Sequence, residues 1–242
     1  MIKVNIYFDI ETLPPELSDR EMVAFKENLS PPGNIKKPET IQKWIEDNWE
    51  EKYRKMATDT AIADFATFAW NFTGDPKDTT CVINTERNNK AIINAFFDDL
   101  KQHILNISKE EGIEVTEEDI KDDAFLDYVK INWYGTNIRT FDLDLLWKKA
   151  ILFKMFNLSK LIPRKKFDDR VIDLVEVFNG PSTHKYTSQE EICKMFGIKG
   201  KPDDIDGSQV FDYWMAGEYE KIAEYNIFDV NRVIELSTLF NV

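Results

Sequence analysis

The chain is 242 residues long, 43% hydrophobic and 31% charged, with 17 Phe, 8 Tyr and 6 Trp. That is enough apolar and aromatic material for one large core, and it excludes a disordered polymer. The net charge of −13 argues against a protein that coats nucleic acid or anionic membrane, although clustered carboxylates are themselves cation sites. Cys81 and Cys193 are far apart and in no metal-like spacing, as suits buried thiols in a reducing compartment. The first strand begins near Ile2, and no apolar run approaches the roughly 18 residues of a membrane span, so a soluble, cytoplasmic protein is expected.

In chain order, Ile2, Val4, Ile6 and Phe8 alternate with Lys3, Asn5, Tyr7 and Asp9, which is strand periodicity. After Glu11 the prolines at 14, 15, 31 and 32 and Gly33 mark loops and turns. From Pro38 to Ala57 the spacing of Ile41, Trp44, Ile45, Trp49, Tyr53 and Met56 predicts a helix, with its tryptophans expected in the core. Residues 61–70 and 80–85 read as strands joined by Gly74-Asp75-Pro76, followed by a helix from about Asn88 to Ile107. Residues 108–127 carry nine Asp and Glu against two Lys and read as a solvated surface insertion.

A strand is expected at 128–135 and a helix from Asp142 to about Phe156. The stretch RVIDLVEVF suggests a strand leading into a helix, and Ser188 with Glu191 forms a capping-box pattern closed by Gly197. A last helix runs from about Gly217 to Phe240. Three leading strands followed by alternating helix and strand predict an α/β fold, a mixed central sheet flanked by helices, in a single domain over 1–242.

Three constellations carry candidate chemistry. Asp9 and Glu11, two apart on a strand, point to one side, which suits a shared hard divalent cation, or a turn-capping Asp beside a solvent-facing Glu. Tyr225 and Asp229, four apart, share a helix face beside an apolar stripe of Ala223, Ile227, Val230 and Ile234. Between them lies YGTNIRTFDLDLL, in which Asn137 offers an amide, Phe141 a flat apolar face, and Asp142 either a site carboxylate or a helix cap.

FDIET, N-x-x-x-F-D and Y-x-x-x-D, in that order, resemble motifs I, II and III of the DEDDy branch of DnaQ-like 3′–5′ exonucleases. The proofreading domain of family-B DNA polymerases and its stand-alone phage and bacterial relatives are the nearest likeness. The stretch from TSQEEICKMF to NRVIEL looks like that family's closing region, so the resemblance spans most of the chain. It implies an RNase H-like fold with helical insertions at about 14–60 and 108–127. It also implies that Asp9, Glu11, Asp142 and Asp229 hold two Mg²⁺ or Mn²⁺ ions, with Asp9 bridging, Glu11 and Asp229 on the nucleophile side and Asp142 on the other. Tyr225 would orient the attacking water. The His-bearing branch is disfavoured because the only histidines, His103 and His184, are not near Asp229 in sequence.

On the same resemblance, Thr12 and Leu13 would line the terminal-nucleotide pocket, Asn137 would hold the strand end and Phe141 would pack on the terminal sugar or base, the alternative for each being plain structural packing. Residues 143–170 carry eight Lys and Arg against three Asp, so Lys148 and Lys149 open a basic stripe fit for a phosphate backbone. The substrate implied is a single-stranded 3′ end, DNA ahead of RNA. The alternatives are a 3′–5′ exoribonuclease, or a binding module docking to a replication or repair partner through the 39–57 helix.

Overall fold

The computed structural model describes residues 1–113, 119, 129–180, 186–200 and 205–242. Its centre is a five-stranded mixed sheet of β1 (Ile2–Leu13), β2 (Asp64–Asn71), β3 (Thr80–Ile83), β4 (Val129–Gly135) and β5 (Val171–Asp173). The strand order is β3-β2-β1-β4-β5. β1 pairs antiparallel with β2, and β2 with β3, whereas β4 and β5 run parallel to β1. The helices among the described residues are α1 (Asp19–Glu27), α2 (Pro38–Arg54), α3 (Asn89–Glu110), α4 (Asp142–Leu152), α5 (Phe156–Leu161), α6 (Leu174–Asn179), α7 (Gln189–Met195), α8 (Val210–Met215) and α9 (Tyr219–Phe240). This is the α/β, RNase H-like arrangement of a mixed sheet between helical layers.

The pleat of β1 sorts its side chains between the layers. Ile2, Val4, Ile6, Phe8 and Ile10 join the large core with α3, α4 and α5. Each such side chain, fully buried, contributes about 1.5–3 kcal/mol. The opposite face meets α9, where Tyr7, Ala69 and Tyr134 pack with Val230, Val233 and Leu236. A β-bulge falls between Glu11 and Thr12, where the partner on β2 jumps from Thr67 to Phe65. It re-aims the strand immediately after the two carboxylates. No helix among the described residues is long and apolar enough to cross a membrane.

Several expectations are corrected. The segment between Pro15 and Pro31 is not all loop: Ser18 and Glu21 form a capping box that starts α1. The helix at Asp142 ends at Leu152 rather than Phe156, because Lys154 turns left-handed (φ +60°) and a separate short helix follows. Trp44 and Trp49 do not enter the core, since neither α1 nor α2 buries any residue fully. Their apolar faces cover each other as an arm outside the sheet layers: Lys26 Nζ sits 3.6 Å from the Trp49 ring centroid and Phe25 packs edge-on against Tyr53. The arm is fastened by the Arg54–Asp212 ion pair (2.7 Å) and by the Tyr53 hydroxyl, which donates to the Pro15 carbonyl (2.9 Å). Cys193 is buried as expected, while Cys81 is only half-buried, and both thiols are free. Most of the acidic 108–127 stretch and His184 lie outside the described residues.

Candidate metal centre

Asp9 and Glu11 leave β1 on the face turned to α9, and there they meet Asp229. One ligand oxygen from each of the three carboxylates lies within 4.8 Å of the others. Such a gathering of anions is unfavourable unless cations or hydrogen-bond donors compensate it.

Asp142 approaches from the other side of β1. Gly135 ends β4 in a close turn that only glycine permits, since a Cβ there would lie 2.2 Å from Ile138 Cγ2. The turn delivers Asp142 to the first position of α4, only 4% exposed, where its Oδ1 accepts the Ile10 backbone N–H (3.2 Å). Burial pushes the Asp142 carboxyl well above the usual carboxylate range, with the Asp9 charge adding to it, while the backbone N–H groups of Asp142 and Ile10 partly offset the rise.

Tyr225 is 2% exposed, one helical turn before Asp229 on α9. Burial raises its phenol, and the charges of Glu11, Asp229 and Asp9 raise it further. The hydroxyl is therefore protonated and hydrogen-bonds the Asp229 carboxylate.

Sequence reasoning missed a layer of residues behind these carboxylates. Asn226, fully buried, donates from Nδ2 to Asp9 Oδ2 at 2.6 Å. The Cys81 thiol in turn donates to Asn226 Oδ1 (3.8 Å) and is pushed up to about 12 by burial and by Asp9 and Glu11, so it serves as a donor and not as a nucleophile. Arg232, 1% exposed, reaches Asp229 Oδ1 with Nη1 (3.4 Å) and Glu190 Oε2 with Nη2 (2.7 Å), and its Nε donates to Cys193 Sγ (3.2 Å). The i, i+3 spacing of Asp229 and Arg232 was the available signal. Of the predicted stripe, Val230 and Ile234 are buried while Ala223 and Ile227 are only half-buried, and the buried face also takes in Ile222, Tyr225, Asn226, Asp229, Arg232 and Val233.

The remaining expected site residues divide. Asn137 is exposed and left-handed (φ +58°), and Phe141 is half-buried just before Asp142. Thr12 is half-buried, its hydroxyl donating to the Ala57 carbonyl (2.8 Å). Leu13 is fully buried with Ala66, Val210 and Trp214, facing no cleft. Lys149 is also buried, its Nζ 3.8 Å from Asp64 Oδ1, and so belongs to the interior rather than to a basic surface. Lys148 is half-exposed and bonds Asp144 and Thr60 (both 2.7 Å). His103 stacks on Phe72 in the α3 layer (5.0 Å between centroids) and takes no part in the carboxylate cluster.

The geometry can be set beside known proteins. The sequence model of a family described as predicted 3′–5′ exonucleases related to the exonuclease domain of PolB matches residues 77–234. The chain belongs to this family. It is also 28% identical over 125 residues to the uncharacterized protein MJ0365 of Methanocaldococcus jannaschii, a match covering 45% of this chain and 70% of that protein. The family is one of nucleases, and membership implies a nucleic acid substrate. The matched stretch holds Asp142, Tyr225 and Asp229, whereas β1 with Asp9 and Glu11 lies outside it.

Proposed function

We propose that this protein is a metal-dependent exonuclease of the DEDDy kind that shortens single-stranded DNA from its 3′ end. The observation that carries the reading is the convergence of Asp9, Glu11 and Asp229 within 4.8 Å, drawn from the two ends of the chain onto one side of the sheet. The donor set fits the group: these oxygens suit Mg²⁺ or Mn²⁺, and Asp142 supplies the fourth carboxylate of a two-ion site. Ions held there would supply charge neutralisation, water activation and leaving-group stabilisation for phosphodiester hydrolysis.

The chain's own residues do the rest. The Tyr225 hydroxyl holds its proton and orients water near Glu11 and Asp229. Asn226 fixes the rotamer of Asp9 and Arg232 that of Asp229, as partners behind metal ligands do. Asn137 and Phe141, on the segment entering Asp142, receive the strand end. Leu13 and Lys149 are left to the interior. What supports the choice of DNA over RNA is the family's relation to the exonuclease domain of PolB. Residues 1–242 form a single catalytic domain, with the α1–α2 arm as an insertion.

The test uses 5′-labelled single-stranded DNA and RNA of one sequence, with Mg²⁺, Mn²⁺ or EDTA, and Asp9→Ala alongside. Metal-dependent laddering from the 3′ end, absent in the variant, is expected. Intact strands in every lane, with the protein folded, would overturn the reading.

A further inference from the structure

A basic pocket borders the segment that carries Asp142. It has a volume of about 270 Å³, and its walls include Arg139, Thr140, Asp144, Arg164, Lys165 and Lys166. Asp142, within the same stretch, turns to β1 and the Ile10 N–H, so residues 139–144 contribute both to the pocket and to the carboxylate centre.

Three features suit this pocket to a strand of nucleic acid. Its walls carry four cationic side chains and one carboxylate in a protein whose net charge is −13. Three neighbouring acids are engaged by bases, Asp144 by Lys148 (2.7 Å) and Arg164 (2.6 Å), Glu176 by Arg139 (3.1 Å) and Asp168 by Arg170 (2.8 Å), while Asp169 stands open to solvent 4.0 Å from Lys130. Arg139 has a buried Nη1 without a hydrogen-bond acceptor among the described residues, although Nε and Nη2 are satisfied by Glu176 and the Val171 carbonyl. Arg139 lines the pocket, so its guanidinium charge stands beside any anion seated there.

The third feature is Phe167. It is 87% exposed, the most exposed aromatic ring of the described chain, and Lys166 Nζ stands 5.3 Å from its centroid. Nothing in the core requires it. An open ring beside paired lysines is a platform on which any base can stack while its backbone meets cations.

We propose that the pocket between Arg139 and the 163–167 loop is a second nucleic acid subsite, seating a backbone phosphate of the single strand upstream of its 3′ end, with Phe167 stacking a base. The inference rests on the proposed reading of a single-stranded substrate. It assigns strand retention to the loop and leaves bond cleavage to the carboxylates.

The test is fluorescence anisotropy with a fluorescein-labelled oligothymidylate in EDTA, across a salt series. Lys165→Ala/Lys166→Ala is expected to weaken binding about ten-fold and to flatten the log–log salt slope by about 0.7 per lost phosphate contact. Phe167→Ala should weaken it roughly five-fold or more. Lys90→Ala, an exposed lysine on α3, should change nothing. These positions are exposed, so the variants should melt with the wild type.

In parallel, hydrolysis of the p-nitrophenyl ester of thymidine 5′-phosphate with Mn²⁺ reads the carboxylate centre without an upstream strand, and should be equal in all of them. Wild-type affinity and salt slope in both loop variants, or no strand binding by the wild type, would overturn the subsite. Loop-dependent binding without hydrolysis of strand or ester would keep the subsite and sink the exonuclease reading. Ester hydrolysis with loop-independent binding would do the reverse.

Discussion

The two faces of β1 are built from alternate residues of one strand and are governed by opposite physics. Ile2, Val4, Ile6, Phe8 and Ile10 are buried against helices and stabilise the protein by leaving water. Asp9 and Glu11, interleaved with them, bring negative charge onto the other face, where Asp229 and the Tyr225 phenol crowd them. The first face makes the second possible: only a strand locked by its apolar side can hold repelling carboxylates close together. Stability and proposed activity are thus separated by a single pleat, and substitutions at adjacent positions should affect different quantities.

The widest separation is expected between Asp9→Ala and Phe8→Ala. Removing the Asp9 carboxylate should cut the nuclease rate about a thousand-fold, the equivalent of several kcal/mol of lost charge stabilisation, while moving the melting curve far less than Phe8→Ala does. Phe8 packs edge-on against Trp133 (5.4 Å) and Phe68 (6.2 Å), so its truncation should cost about 3–5 kcal/mol of stability, read by denaturant titration, and spare the rate per folded molecule. A variant that lost both in equal measure would erase the distinction between the faces.

Asn226→Ala sharpens the comparison from behind the site. Loss of its 2.6 Å hydrogen bond to Asp9 should lower Mn²⁺ affinity or rate about 10–100-fold, read as a raised half-saturating Mn²⁺ concentration.

The smallest effect concerns what the carboxylates cost. Because burial and Asp9 raise the Asp142 carboxyl in the folded state, the metal-free folded protein binds a proton more tightly than the unfolded chain does. Its ionisation therefore destabilises the fold above that raised value, and the deficit is relieved as pH falls toward the ordinary carboxylate value near 3.8. In EDTA at neutral pH, Asp142→Asn should melt a few degrees higher than wild type, on the order of 1 kcal/mol, and the gap should close on mild acidification. A lower melting temperature for the variant at neutral pH would contradict this assignment of cost.

The sheet and its long helices were legible because their periodicities are long and unbroken, as in Ile2–Phe8 and in the final helix. What escaped was decided by single residues or by partners elsewhere. The Ser18-x-x-Glu21 capping box was present in the sequence, but prolines on both sides masked it. The break after Leu152 depends on one left-handed lysine, which carries no local signature. Neither Trp44 nor Trp49 is fully buried on its helix, and what meets the Trp49 ring is Lys26 of another short helix and not the sheet, a choice made by tertiary packing.

At the site, strand and helix spacing paired Asp9 with Glu11 and Tyr225 with Asp229, but that the carboxylates meet was implied only by the resemblance to the exonuclease motifs. Asn226 was not legible, because a buried polar residue inside an apolar stripe reads as noise until its partner is known, and Arg232 offered only its i, i+3 spacing from Asp229. Leu13 and Lys149 illustrate the converse: adjacency in sequence to Thr12 and Lys148 did not give them a surface.

The central claim is that the face of β1 turned to α9 exists to hold divalent cations. It is tested most directly by titrating Mn²⁺ into wild type and Asp9→Asn and counting bound ions by electron paramagnetic resonance. Saturable uptake of two ions by the wild type, lost in the variant while its fold is intact, is the expected result. Equal uptake by both, or none by either, would contradict it.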